Sequence, residues 1–312
     1  MTASRRLSAE VRAIAVAEGA DLIGIAPAAA LVGVEEGKRP DEYLPGATTV
    51  VAIGVHIPHG VCDLWGQPGE PGRSAGPYLL YGYGITAWEV SRISMLVARH
   101  LELAGHRSIC FQPAWSSSAY RDYPRREQGI IEQDFAHQQA AAAAGLGELG
   151  LSGLCLTPEF GARQRFGSVL TDAPLVADLA YAGAPLCRPA ECGELCARVC
   201  PTQALDPSNP APVRVGHRSF PVARLDGIRC LHGLGGLVAG TGSRATATLP
   251  PGPGIWSDYT SARQQRHPVD ALLVSHSEGA LVGHFCERCL HQCPAHTFGR
   301  SASAGATGSP GG

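Results

Sequence analysis

Apolar residues return along the chain with two periods. Through "RRLSAEVRAIAVAEG", Leu7, Val11, Ile14 and Ala15 recur at helical spacing and predict an amphipathic first helix. "DLIGIAP" (Asp21 to Pro27) and "TTVVAIGVHIP" (Thr48 to Pro58) are short β-branched runs closed by proline, which predicts buried strands. "TAWEVSRISMLVARHLELAG" is the clearest helix. Val90, Ile93, Val97 and Leu101 share one face, Thr86 and Glu89 predict a capping box, and Gly105 predicts the stop. "HRSICFQP" then returns as a strand.

"AAAAAGLGELG" (Ala140 to Gly150) contains G-x-G-x-x-G at Gly145, Gly147 and Gly150. A dinucleotide fingerprint follows a strand and opens a helix. Here an alanine helix leads in and the apolar run "LSGLCLTP" follows, so the order is reversed and the fingerprint is rejected. "LTPEFG" and "GSVLTDAPL" predict strand, turn and strand, ending near Val176. From Cys187 the texture changes to loops, cysteines and prolines. The Gly-rich stretch Leu231 to Gly254 is too long for a simple connector and reads as a lid or an insertion. Residues 301–312 read as a disordered tail.

At 312 residues, 45% hydrophobic and 17% charged, the chain is long enough for two globular domains. A net charge of −2 argues against a large nucleic-acid footprint. Glu10, Arg12 and Glu18 interrupt any signal-peptide core behind Arg5 and Arg6, and no window approaches the ~18 apolar residues of a membrane span. These features predict a cytoplasmic protein, a compartment in which thiols stay reduced.

Eleven cysteines in such a compartment point to metal. Cys187, Cys192, Cys196 and Cys200 run C-x4-C-x3-C-x3-C-P, and Cys286, Cys289 and Cys293 run C-x2-C-x3-C-P, with Cys230 alone between them. Eight thiolates match two four-iron clusters, and in bacterial ferredoxins the cysteine before proline serves the other motif's cluster. Applied here, one cluster takes Cys187, Cys192, Cys196 and Cys293, and the other takes Cys200, Cys230, Cys286 and Cys289. The competing reading is structural zinc, also held by four thiolates. The long gaps at the first motif make Cys187 the least secure ligand. Cys62, Cys110 and Cys155 lie in apolar surroundings and read as packing residues. His284 and His291 flank the second motif and read as neighbours of the clusters rather than ligands.

The block Ala140 to Leu175, with "CARVCPTQAL" and "FCERCLHQCP", resembles the epoxyqueuosine reductase family and is similar to the ferredoxin-bearing half of the reductive dehalogenases. The likeness covers about Ala140 to Pro294. It implies an α+β protein: a nitroreductase-like α/β cobalamin-binding domain over residues 1–180, then a bacterial two-cluster ferredoxin-like domain over 181–300 with a Gly-rich insertion at 231–285. It also implies cobalamin beside two [4Fe-4S] clusters, with electrons from an external ferredoxin or flavodoxin passing through the clusters to cobalt. Carried over, the corrin would meet Ala144, Gly145, Leu146 and Gly147; the turn Thr157, Pro158, Glu159, Phe160 and Gly161; and Leu170, Thr171 and Asp172. The family's aspartate acid falls by counting on Ile131, with Glu132, Asp134 and His137 nearby. His137, and after it Tyr123, are therefore the candidate proton donors.

The resemblance implies a reductase. The chain stops soon after the clusters, without the helical repeats by which many relatives grip tRNA. With the charge balance, this leads to the expectation of a small-molecule substrate and no tRNA partner. A ferredoxin-type electron carrier serving a partner enzyme is the alternative, and a zinc-stabilised scaffold the third.

Overall fold

The computed structural model describes residues 2–65, 75–113, 135–266, 268 and 286–298. Tyr123, Ile131, Glu132, Asp134, His284, most of 267–285 and the 301–312 tail lie outside the described residues.

Strands β1 (Leu22–Pro27), β2 (Thr49–His56), β3 (Ser108–Phe111) and β6 (Gln164–Thr171) form a four-stranded sheet in the order β1-β2-β6-β3. Every neighbouring pair is antiparallel. Helices α1 (Ala3–Ala17) and α2 (Thr86–Leu103) cover one face and α3 (His137–Ala143) the other. Along β2, Val51 and Ile53 join Val11, Val97 and Leu101 on the α1/α2 side, whereas Val50 and Ala52 meet the α3 side. This is the period-two alternation of a sheet buried on both faces.

The alanine run lets α3 lie close to the sheet. A Cβ at Gly24 of β1 would stand 2.5 Å from the Ala144 carbonyl oxygen. On the other face, a Cβ at Gly167 would stand 2.5 Å from Val90 Cγ1. After α3 the chain makes the short hairpin β4 (Glu148–Leu149) and β5 (Cys155–Leu156).

Two expectations are corrected. The Thr86/Glu89 capping box is absent, because the chain enters α2 from a π-helical segment, Tyr78–Ile85, already in helical conformation. Thr86 Oγ1 donates instead to the Tyr81 carbonyl (2.5 Å). Cys110 is exposed, unlike Cys62 and Cys155, because β3 is an edge strand.

Beyond the sheet, β7 (Leu205–Val215) and β8 (Arg218–Leu225) form a long hairpin whose Val215 and Phe220 pack back on the α3 face. Helix α4 (Gly227–Leu234) carries Cys230, and Asp226 caps it by accepting from the Arg229 N–H (2.9 Å). The Gly-rich stretch that follows is folded against its surroundings. Arg229 Nη1 donates to the carbonyls of Pro250 (2.9 Å) and Gly252 (2.7 Å), and Gly242 packs on the Trp65 indole. A shared core of Ile57, Trp65, Tyr78, Leu79, Tyr83, Leu156, Leu186, Leu290 and Ala295 joins the sheet to the cysteine-bearing segments.

Candidate cluster sites and their surroundings

The cysteine-bearing segments are short helical turns bent by left-handed residues. Pro189–Cys192 ends at Gly193 (φ 60°), and Leu195–Arg198 begins at Glu194 (φ 54°). A non-glycine residue in that region is uncommon and strained. The two consecutive left-handed residues turn Cys192 and Cys196 toward one hollow. Cys187 and Cys293 line the same hollow, together with Leu151, Leu156 and Pro294.

Cys187 is held closely. Glu148 Oε1 accepts from the N–H groups of Leu186 (2.7 Å) and Cys187 (3.0 Å), and the Leu151 N–H donates to Cys187 Sγ (3.2 Å). The least secure ligand in sequence is therefore among the best anchored in space.

The thiols act on one another. Burial pushes the Cys293 thiol up to about 12, with Cys187, Cys196 and Cys192 adding to it. Cys196 is pushed up to about 11 by burial and then by Cys187. In the second set, burial pushes Cys286 up to about 12, with Cys200 adding to it. Cys289 and Cys230 are raised by burial, then by each other's set: Cys286 and Cys230 for the former, Cys286 and Cys200 for the latter. The Ala204 N–H donates to Cys200 Sγ (3.3 Å). Closely spaced, half-buried thiols resist ionisation without cations among them, and metal coordination is what deprotonates such groups. Among the described residues, no group of three or more His, Cys, Asp or Glu side chains is placed to hold a single metal ion. The chemistry of the donors, thiols with the N–H groups of Leu151 and Ala204 aimed at two of the sulfurs, suits iron–sulfur ligation.

Three arrangements escaped the sequence reading. Arg165 of β6 is buried and donates from Nη1 to Glu287 Oε1 (2.8 Å), from Nη2 to Tyr78 Oη (2.9 Å) and from Nε to the Gly82 carbonyl (3.2 Å). Its guanidinium lies 4.0 Å from the Tyr83 ring centroid, and Tyr78 donates its hydroxyl to Glu287. His56, His59 and His296 gather at the end of β2. Ring centroids are 4.7 Å apart for the first pair and 5.3 Å for the second, with Phe160 stacked on His56 at 4.3 Å. Finally, His291 is buried between Tyr78 and Trp65, and burial depresses its pKa to about 3. The visible signals were H-x-x-H at His56 and His59 and the glutamate between two cysteines of the second motif.

The residues carried over for cobalamin are spread over the α3–β4 turn, the Thr157–Gly161 turn and the end of β6. Gly145 and Gly147 face the chain itself: added Cβ atoms would stand 2.1 Å from the Leu179 carbonyl oxygen and 1.8 Å from that of Leu156. Gly161 likewise faces the His296 N–H at 2.3 Å. Leu170 and Thr171 are fully buried, and Asp172 is paired with Arg107 (2.9 Å). Asp172 also lies beyond the far end of the eight-residue β6 from the Thr157–Gly161 turn, about 23 Å away by the rise of a strand. His137 is 1% exposed, with Nδ1 2.9 Å from Ser168 Oγ and Nε2 3.0 Å from the Gln112 carbonyl. Its ring is occupied in tying α3 to β6 and β3.

No protein-family model matches the chain, and no curated protein matches it. Solved structures do. An epoxyqueuosine reductase bound to an epoxyqueuosine-modified tRNA stem loop superposes with TM-score 0.52 and 18% identity, covering 94% of this chain and 66% of that one. A reductive dehalogenase whose structure suggests a mechanism for B12-dependent dehalogenation gives TM-score 0.54 and 17% identity, covering 93% and 38%. The protein has the fold of these reductases. A catabolic reductive dehalogenase holding 3-bromo-4-hydroxybenzoic acid is similar at TM-score 0.52 and 16% identity, over 93% and 38%. This chain thus spans about two thirds of the reductase and well under half of the dehalogenases. The expectation of no tRNA partner is corrected by the first of these structures, in which nearly all of the same fold accompanies a tRNA stem loop. Net charge is a sum over the whole surface, whereas a nucleic acid needs only a local cationic face. Among the described residues, no helix is long and apolar enough to cross a membrane.

Proposed function

We propose that the protein is an iron–sulfur reductase with two four-iron clusters, one on Cys187, Cys192, Cys196 and Cys293 and one on Cys200, Cys230, Cys286 and Cys289. The observation that carries this reading is the crossing of the second motif's last cysteine: Cys293 lies with Cys187, Cys192 and Cys196 in one hollow. When bound, the clusters supply one-electron transfer, drawing on an external ferredoxin or flavodoxin. The chain's own part is to anchor Cys187 through Glu148, to present N–H groups of Leu151 and Ala204 to sulfur, and to shield both sets in part, all eight cysteines being half-buried. No step is assigned to a corrin. Added cobalamin is instead one arm of the test.

The test is anaerobic reconstitution with iron and sulfide, followed by iron analysis and turnover assays with and without cobalamin. The substrates tried are an epoxyqueuosine-containing stem loop and a brominated hydroxybenzoate, the two chemistries that similar structures hold. About eight irons per chain are expected. The paired variant Cys200→Ala/Cys289→Ala should keep clearly more iron than Cys200→Ala/Cys192→Ala, since only the latter strikes both clusters. The reverse order would refute the crossing, and zinc in place of iron would refute the redox reading.

A further inference from the structure

Glu287 sits between Cys286 and Cys289 in sequence and brings a carboxylate into the interior beside the second cysteine set. Its side chain is 17% exposed and that of Arg165 is 9% exposed. Burying such a pair costs several kcal/mol per ion before their attraction is counted, and apolar replacements of similar volume are often as stable. A clamp between sheet and cysteine segment did not require charges. The Tyr78, Leu79 and Leu290 core already supplies one.

Glu287 follows Cys286 directly and precedes Cys289 by two residues, both members of the second set, so its carboxylate is carried by the backbone that carries those two thiols. The Arg165 guanidinium and the Tyr78 hydroxyl both donate to the Glu287 carboxylate, and such bonds favour its charged form. Two donors therefore offset the carboxylate: the Arg165 guanidinium, in a two-pronged contact, and the Tyr78 hydroxyl.

We propose that Arg165, acting through Glu287, sets the reduction potential of the cluster on Cys200, Cys230, Cys286 and Cys289 and leaves the other cluster untouched. The inference rests on the cluster reading above. Reduction adds negative charge to a cluster, so an uncancelled anion beside it lowers the potential and an uncancelled cation raises it. Arg165 is a positioning residue in this scheme: it does not reach the sulfurs but fixes how much of Glu287's charge they feel.

The experiment is a redox titration of the reconstituted protein, followed by electron paramagnetic resonance so that each cluster reports separately. Glu287→Gln leaves Arg165 uncancelled and should shift the second cluster upward. Tyr78→Phe removes a donor from the carboxylate and should shift it downward. Arg165→Gln/Glu287→Gln is neutral again and should return it toward the parent value. The first cluster should stay in place throughout. Shifts of one sign in both single variants, or equal movement of both clusters, would mark a purely structural clamp and overturn the proposal. So would an unmoved second cluster in Glu287→Gln, the near-isosteric change that decides the matter even if the double variant does not fold. Failure of the parent protein to assemble clusters would instead refute the reading on which the proposal rests.

Discussion

Gly24→Ala tests the packing that places the whole α3–β4 segment. A Cβ there would stand 2.5 Å from the Ala144 carbonyl oxygen, 2.9 Å from Ala144 Cβ and 3.1 Å from Leu146 Cδ2. Carbon atoms pack best at about 3.5–4.0 Å, so the nearest contacts are short by roughly half an ångström to 1 Å. The obstructing atoms are mostly the end of α3 itself, which cannot swing aside like a flexible side chain. Overpacking of this kind costs about 1–3 kcal/mol. At roughly 2–4 °C per kcal/mol for a chain of this order of size, the melting midpoint should fall by about 2–12 °C. Because Ala144 leads through the Gly145–Gly147 turn to Glu148, reconstituted protein should also hold less iron. Gly60→Ala is the control. It lies in the His59–Leu64 helix with nothing within 4 Å of the new atom, and should gain up to about 1 kcal/mol of helix propensity. Thermal unfolding of the apoprotein by circular dichroism compares the two. A Gly24→Ala midpoint at or above the parent's, or an equal loss in Gly60→Ala, would refute the argument.

Two further outcomes follow from the bonds described. Glu148→Ala strands the N–H groups of Leu186 and Cys187, at about 1–3 kcal/mol in urea unfolding, and should deplete the first cluster before the second in iron analysis. Asp172 is held below the ordinary aspartate value, chiefly by the hydrogen bond from Arg107, so its contribution is present above that value and is lost as acid protonates it. Asp172→Asn should flatten the acid limb of a stability–pH profile slightly, the pair being partly exposed, and an unchanged limb would show that it contributes nothing.

Much of the sheet was legible because its strands obey a local rule. Val50 to Val55 is an unbroken apolar run, and Val90, Ile93, Val97 and Leu101 repeat every three to four residues. That Cys293 meets Cys187, Cys192 and Cys196 in one hollow was legible for a different reason: the spacing of the two motifs matches a known ligand exchange. What escaped depended on partners far along the chain. Nothing near Arg165 foretells Glu287, 122 residues on. The long β7–β8 hairpin hid behind Pro207, Pro210, Pro212 and Pro221, residues that ordinarily argue against a strand. An edge hairpin with a register shift between Asp206 and Ala211 tolerates them. The glycines of the Gly145–Gly147 turn were visible, but what they face was not. Glycine marks a close approach without naming the visitor, and here the visitor is the chain's own backbone.

The meeting of Cys293 with Cys187, Cys192 and Cys196 has a consequence for how the protein is made. Roughly a hundred residues separate the ends of that contact, and closing such a loop carries an entropic cost that grows only slowly with its length. Order in time matters more. While the ribosome is still short of Cys286, the nascent chain has three thiols of one set and two of the other, and neither set is complete. On the proposed assignment, cluster insertion would wait for the segment from Cys286 to Cys293, and a message cut between Cys230 and Cys286 would yield a product with the strands of the sheet and two incomplete sets of thiols.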